Sequence, residues 1–307
     1  MSRGIARAWG GVLKRVAYLT GSSWRGGFVP EGELPAQDAP DFTILKPIAA
    51  EKGIALEIKR WDASDLADAG FNAAIVRSTW DYADRVGEFL DHLTALDRGG
   101  LRVLNPPAAL RWNARKTYLQ DLGDSGAPVI PTVWSETVDA VIIGRAFDTF
   151  EAAELVVKPQ LGAGSRDTIR LKRNGWTESD LALAPRGAAM IQPFLPGIET
   201  TGERSLFYFN GKPAHAIRKL PAAGKWYANV DGAQFARSEA SAADLAAAER
   251  VLALAPQGML YARVDLVDGP DGRPRLIELE AIEPYLFLAF APEGAGFFAD
   301  ALAETLA

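Results

Sequence analysis

The chain has 307 residues, 48% hydrophobic and 23% charged, with a formal net charge of −6. That length supports two or three cores, and the acidic balance argues against a nucleic-acid binder, which presents a basic face. Cysteine is absent and only two histidines, His92 and His215, occur; thiol chemistry and His-x-x-x-His zinc sites are excluded, so a metal here must be held by oxygen: magnesium, manganese or calcium.

No run of about 18 apolar residues exists, so no membrane helix is expected. The first fifteen residues, with Arg3, Arg7, Lys14 and Arg15, read as a loose extension and not a secretory segment. A cytoplasmic setting fits best. Residues 16–20 form an apolar run ending in Gly21-Ser-Ser, a buried strand followed by a loop. Residues 31–40, rich in Pro, Gly and acids, predict a mobile loop. Helical spacing predicts a helix over 42–52, stopped by Gly53. Strands follow at 55–59 and 73–77, then a helix at 86–96. This β-α-β-β-α order predicts a small, mostly parallel α/β domain. Ligands of such sheets lie beyond the carboxyl ends of the strands. Ser22, Arg77, Ser78, Asp81 and Tyr82 belong to that edge.

Asn105-Pro-Pro107 marks the first boundary. A helix is expected from 108 to about 122, then strands at 128–133, 154–158, 168–172 and 188–194. Asn210-Gly211 predicts a tight hairpin between 205–209 and 213–219. An Ala-rich helix covers 241–253, and strands 261–267 and 275–279 flank another turn. His215 reads as a hairpin residue without a catalytic role.

Glu278 and Glu280 stand two apart on one strand and so share a face; Asp265 can oppose them from the paired strand. Three facing carboxylates repel unless a cation neutralises them, and magnesium with bridging phosphates suits the trio. The same pattern also fits a solvated polar face. Lys158 ends the apolar strand 155–157, and Gly162-Ala-Gly164-Ser165 follows. A lysine beside a glycine loop suits phosphate, although the loop also reads as a plain hairpin turn. Neither Gly-x-Gly-x-x-Gly after the first strand nor a Walker A motif is present, which argues against a dehydrogenase or P-loop NTPase.

Taken in order, these pieces resemble the ATP-grasp superfamily: Lys116, Val156-Val-Lys158-Pro, the glycine loop, Met190-Ile-Gln192-Pro-Phe194-Leu195, Gly202-Glu203-Arg-Ser205, Arg218-Lys219, Asp265, and Glu278-x-Glu280. The match spans about residues 105 to 290. The stretch from Met190 through Pro221 is similar to glutathione synthetase-type and glutamate-adding members. Arg77-Ser-Thr-Trp-Asp-Tyr82, Asn105-Pro, Arg111-Trp-Asn113 and Glu278-Leu-Glu-x-x-Glu-Pro284 resemble the group with the cyclo-ligase of cycloserine biosynthesis, the O-ureido-serine cyclo-ligase group.

The resemblance implies an ATP-grasp fold, α+β with an α/β first domain. Its three parts would be an N-terminal parallel α/β substrate domain at 1–107, a central lid subdomain at 108–194 and a metal- and phosphate-binding subdomain at 195–307. It implies ATP and magnesium, two ions, with manganese as a substitute. Lys116, Lys158, Gly162, Gly164 and Ser165 would hold the phosphates. Gln192, Phe194 and Leu195 would meet adenine, and Glu203 or Glu199 the ribose. Arg218 or Lys219 would face the γ-phosphate. Asp265, Glu278 and Glu280 would bind metal, with Glu280 standing where many members carry asparagine. The implied activity is a carboxylate–amine ligase acting through an acyl phosphate on a small amino-acid-like or peptide-like substrate, as a monomer or homodimer. A cyclo-ligase, a kinase and a non-catalytic nucleotide-binding module are the alternatives. Arg77 is the candidate for a substrate carboxylate, or a partner of Asp81 in fixing the loop; Glu283 is the candidate for an amine. Residues 162–167 are the candidate lid.

Overall fold

A computed structural model describes residues 13–24, 27–162, 167–228 and 232–307. The chain begins with β1 (Lys14–Thr20), a short hairpin of β2 (Ser23–Trp24) and β3 (Gly27–Phe28), α1 (Ala39–Glu51), β4 (Ile54–Arg60) and β5 (Ala73–Ser78). A 3₁₀ turn at Trp80–Asp84 leads to α2 (Val86–Arg98), β6 (Arg102–Leu104), α3 (Pro107–Asn113) and α4 (Tyr118–Asp124). Then come β7 (Val133–Ser135), α5 (Ala140–Phe150), β8 (Glu154–Pro159), β9 (Ile169–Lys172), α6 (Glu178–Leu181), β10 (Ala189–Pro193) and α7 (Gly197–Thr200). The last elements are β11 (Glu203–Phe209), β12 (Lys212–Leu220), β13 (Gln234–Ser238), α8 (Ala242–Leu254), β14 (Tyr261–Asp268), β15 (Pro274–Glu280) and α9 (Gly294–Leu306). No described helix is long and apolar enough to cross a membrane.

Two compact units result: residues 1–107 with 285–307, and residues 108–284. The first holds a parallel sheet in the order β4-β1-β5-β6. Val16–Leu19 and Ala73–Val76 are buried without alternation, as expected of strands covered on both faces. Helix α1 packs against β4 and α9. It starts at Ala39, three residues before the expected start, and Pro40 in its first turn fits the helix entry. The loop expected over 31–40 is shortened accordingly. Helix α9 is the last element in sequence yet belongs to this first unit, whereas the sequence reading carried the third segment through to residue 307.

The second unit contains two antiparallel sheets. In the order β7-β10-β8-β9, Leu155, Val157, Leu171, Ala189 and Ile191 face Ile143 and Phe147 of α5. In the order β13-β12-β11-β14-β15, Leu206, Tyr208, Val264, Leu266 and Leu279 pack on Ala248 and Val251 of α8 and Leu122 of α4. The opposite face of that sheet is left for polar groups. The β11–β12 hairpin turns at Asn210 and Gly211, both at positive φ (47° and 72°), which suits the Asn-Gly pair.

Two expectations are corrected. The helix over 108–122 is broken between Asn113 and Tyr118, because the Lys116 N–H donates to the Gln160 carbonyl (2.8 Å) and leaves the helical ladder. The strand expected at 128–133 begins where that segment ends, at Val133. Residues 128–130 instead run beside β15: Leu276 N–H donates to Pro128 O (2.7 Å), and Val129 bridges Leu276.

Candidate functional site

The polar face of the second sheet is built by register. Asp265 on β14 lies opposite Glu278 on β15, and Arg263 lies opposite Glu280. A bulge follows Asp265, where Leu266 pairs with Leu276. On β11 and β12, Ser205 pairs with Asp265 and Glu203 with Lys219. Side chains two apart share a face, so Glu203, Ser205, Lys219, Arg263, Asp265, Glu278 and Glu280 converge there.

Each carboxylate meets a cation of the protein. Asp265 accepts from Ser205 Oγ (2.6 Å), from Arg263 Nε (3.0 Å) and Nη2 (2.8 Å), and lies 3.4 Å from Lys219 Nζ. Arg263 Nη2 also pairs with Glu280, Lys219 with Glu203, and Lys116 with Glu278. Burial works against ionisation of Asp265, but Arg263 and Lys219 outweigh it and hold its carboxyl well below the usual range. Burial pushes Glu280 up to about 7, with Arg263 pulling the other way. Burial also raises Glu203, against Lys219. Burial would lower Lys219 and Lys116, yet the carboxylates facing them leave both raised. Lys158, on β8 opposite Met190, is lowered, first by burial and then by the nearby Lys116 ammonium.

Lys116 reaches Glu278 because its segment is stitched to β15. Asn113 Nδ2 donates to Leu279 O (2.7 Å), Ala281 N–H donates to Asn113 Oδ1 (2.9 Å), and Leu279 N–H donates to Tyr118 Oη (2.9 Å). Lys116 therefore sits in the break between α3 and α4, not on a continuous helix. Glu283 is buried, and its charge reinforces the Lys116 ammonium. Arg218 is exposed while its neighbour Lys219 is buried among the carboxylates; of the two γ-phosphate candidates, only Lys219 joins the cluster.

Gln192 is buried, and its Nε2 donates to Thr132 Oγ1 (2.9 Å). The Phe194 N–H donates to Glu154 O (2.9 Å), and the Arg170 guanidinium lies 3.5 Å from the Phe194 ring centroid. Leu195 is buried with Ile130 and Val267. Glu199 pairs with Arg170 (2.6 Å) and is half-exposed, whereas Glu203 is turned inward to Lys219. Gly162 has φ +148°; Gly164 and Ser165, and with them most of the candidate lid, lie outside the described residues.

Among the described residues no group of three or more His, Asp or Glu side chains is gathered into a metal-holding set. The donor chemistry nevertheless fits a hard cation: the carboxylates of Asp265, Glu278 and Glu280 supply oxygen alone, and each is paired here with a protein cation.

In the first unit, Asp81 fills the gap between the carboxyl ends of β1 and β5. Its Oδ2 accepts from Ser22 N–H (2.8 Å) and Ser22 Oγ (2.9 Å), and its Oδ1 from Trp61 Nε1 (2.9 Å). It does fix the loop, but through Ser22 and Trp61. Arg77 is buried beside Tyr18, Asp38 and Asp41, with the Phe298 ring centroid 5.9 Å away. Ser78 hydrogen-bonds Asp38, which also accepts from Trp80 Nε1 (2.6 Å). Tyr82 packs on Phe89 (5.0 Å between centroids). Asp38, Asp41, Arg170 and the roles of Asn113, Ser205 and Arg263 were missed in the sequence. Only Arg263 carried a local signal, standing two residues before Asp265.

The fold and the sequence together define a ligase of the ATP-grasp class. Residues 131–284 match the family described as prokaryotic glutathione synthetase, ATP-grasp domain, and residues 16–105 match the N-terminal domain of D-cycloserine synthetase DcsG. The cycloserine biosynthesis protein DcsG of Streptomyces lavendulae is 34% identical over 287 residues, covering 87% of this chain and 94% of that protein. The tetrahydromethanopterin:alpha-L-glutamate ligase of Methanosarcina acetivorans is 31% identical over 67% of this chain and 66% of its own. The crystal structure of D-cycloserine synthetase DcsG superposes with a TM-score of 0.79 at 31% identity, over 95% of this chain and 100% of that one. The chain thus belongs to the ATP-grasp ligase family, in the group that contains DcsG.

Proposed function

We propose that the protein uses ATP and magnesium to activate a small amino-acid-like carboxylate as an acyl phosphate, releasing ADP and then phosphate. The observation that carries this reading is the single polar sheet face on which Lys116 and Lys219 meet Glu203, Asp265, Glu278 and Glu280, with Lys158 close enough to feel Lys116. Lys116 and Lys158 bind the phosphates, and Lys219 faces the phosphoryl group in transfer. Gln192, Phe194 and Leu195 line adenine, and the half-exposed Glu199 suits ribose better than Glu203, which is tied to Lys219. Asp265, Glu278 and Glu280 would hold magnesium, two ions in this reading, with manganese as a substitute. When bound, the metal neutralises phosphate charge. A substrate carboxylate oxygen attacks the γ-phosphorus, and ADP leaves. A nucleophile then attacks the acyl carbon, loses its proton and expels phosphate. Charge and positioning do the chemistry, so no acid–base triad is required. Water must be kept from the acyl phosphate, which it otherwise hydrolyses. Arg77 is our candidate for orienting a substrate carboxylate, and Glu283 for an amine.

Ring closure within one substrate is the second reading. It is favoured by the match of residues 16–105 to the N-terminal domain of D-cycloserine synthetase DcsG, and by the 34% identity to the cycloserine biosynthesis protein DcsG over 87% of this chain. Both readings require magnesium-dependent release of ADP and phosphate from the native protein with amino-acid-like substrates. Product mass separates the outcomes: cyclisation gives the substrate less one water, ligation joins two substrates less one water, and a kinase leaves phosphate attached. No ADP across a broad panel of acids and amines, with nucleotide still bound, would leave the non-catalytic module as the better reading.

A further inference from the structure

Arg263 has no part in the chemistry above, yet it is the most heavily engaged cation of the site. It is 6% exposed and sits directly opposite Glu280 in the β14–β15 register. Its Nε and Nη2 grip both oxygens of Asp265, at 3.0 and 2.8 Å, and the same Nη2 pairs with Glu280. The buried Asp265 and the partly buried Glu280 meet at this one nitrogen, and two carboxylates so placed repel unless a cation lies between them. A planar guanidinium fork fixes the direction of each oxygen as well as its charge.

We propose that Arg263 is a positioning residue: it is the resident counter-ion that holds Asp265 and Glu280 in place before a divalent metal arrives, and against which that metal must bind. The inference rests on the magnesium reading above. Nη2 occupies one oxygen of each carboxylate, so a metal held by Asp265 and Glu280 would have to displace or share this guanidinium. Arg263 therefore lowers the affinity for free metal while it stabilises the metal-free fold. A strut that merely joined two strands would act differently: its loss would loosen the carboxylates and weaken metal binding.

The test uses the full chain without nucleotide, as native protein and as Arg263→Met and Arg263→Lys. Manganese binding is followed by electron paramagnetic resonance, and thermal midpoints are taken in chelator and in magnesium. Arg263→Met, which keeps an apolar stem, is expected to bind manganese roughly tenfold tighter, the size of an ordinary coupling between sites. Its midpoint falls in chelator, and magnesium closes the gap. Arg263→Lys keeps the charge and folds if the methionine variant does not; without the fork it shifts manganese affinity in the same direction, by less. Unchanged or weaker manganese binding by either folded variant overturns the proposal while leaving the magnesium reading intact. If the native protein binds no divalent metal, with or without ATP, the magnesium reading falls and this inference with it.

Discussion

Asp41 carries a carboxyl where the fold disfavours its charge. Burial pushes it up to about 6, against the N–H groups of Leu286 and Leu288 (2.8 Å each) and the Arg77 charge. A folded pKa above the unfolded one means that the native state keeps its proton longer. This contribution to stability is complete below about pH 4 and is lost as pH rises through about 6. Thermal midpoints across that window should therefore carry a downward contribution with rising pH, and Asp41→Asn should flatten it. The variant should also melt lower throughout, because one amide oxygen cannot serve two N–H donors as two carboxyl oxygens do. Lys158 shows the opposite trade. Its charge is disfavoured by burial and by Lys116, so Lys158→Met should raise the midpoint of the free protein by a few degrees. A hydrogen bond to a charged group contributes about 1.5–3 kcal/mol, so nucleotide binding, read by calorimetry, should weaken by about tenfold or more. A variant that loses stability and keeps its nucleotide affinity would remove Lys158 from the phosphate site.

At the scale of elements, β11 depends on one backbone position. Gly202 has φ +85°, and a Cβ there would lie 2.7 Å from the Lys219 carbonyl oxygen. Gly202→Ala meets both strain and backbone overlap, and should cost about 1–3 kcal/mol by chemical denaturation. Strands with plain alternation or buried runs, such as β5, β8 and β14, were legible in the sequence to within a residue or two. The missed elements lacked such signals. Strand β13 is a short, mostly exposed edge, and α9 opens on Gly-Ala-Gly with no side-chain cap. Helix α5 did have one: Asp139 caps it by accepting from Ile142 N–H (2.9 Å), but its Val-Ile-Ile start reads equally as a strand. The break at Lys116 was illegible, since its cause is the Gln160 carbonyl, a partner distant in sequence. The site divides the same way. Period two places Glu278 beside Glu280, but the pairs Arg263–Glu280 and Lys116–Glu278 depend on a bulged register and on the Asn113 and Tyr118 bonds to β15.

At the scale of the whole molecule, the first unit is discontinuous in sequence, and its last piece is not a decoration. Ala295, Phe298, Ala299 and Leu302 of α9 have no exposure, nor does Ala49 of α1 beneath that helix pair. Lys52 pairs with Asp300 (2.5 Å), and Arg102 donates to the Thr305 carbonyl (3.1 Å). Burying Phe298 and Leu302 alone contributes about 3–6 kcal/mol, against a typical total of about 5–15 kcal/mol for a domain. Removing 294–307 should thus unfold the first unit. Among the described residues, the cores under the second unit's two antiparallel sheets contain no side chain from that helix. Hydrogen exchange with mass spectrometry on the truncated chain should show protection lost across β1, β4 and β5 but kept in β10, β11 and β14. Loss of protection across all of these strands together would mean that the two units fold as one cooperative body; retention in β1 and β5 would mean that α9 contributes little to the first core.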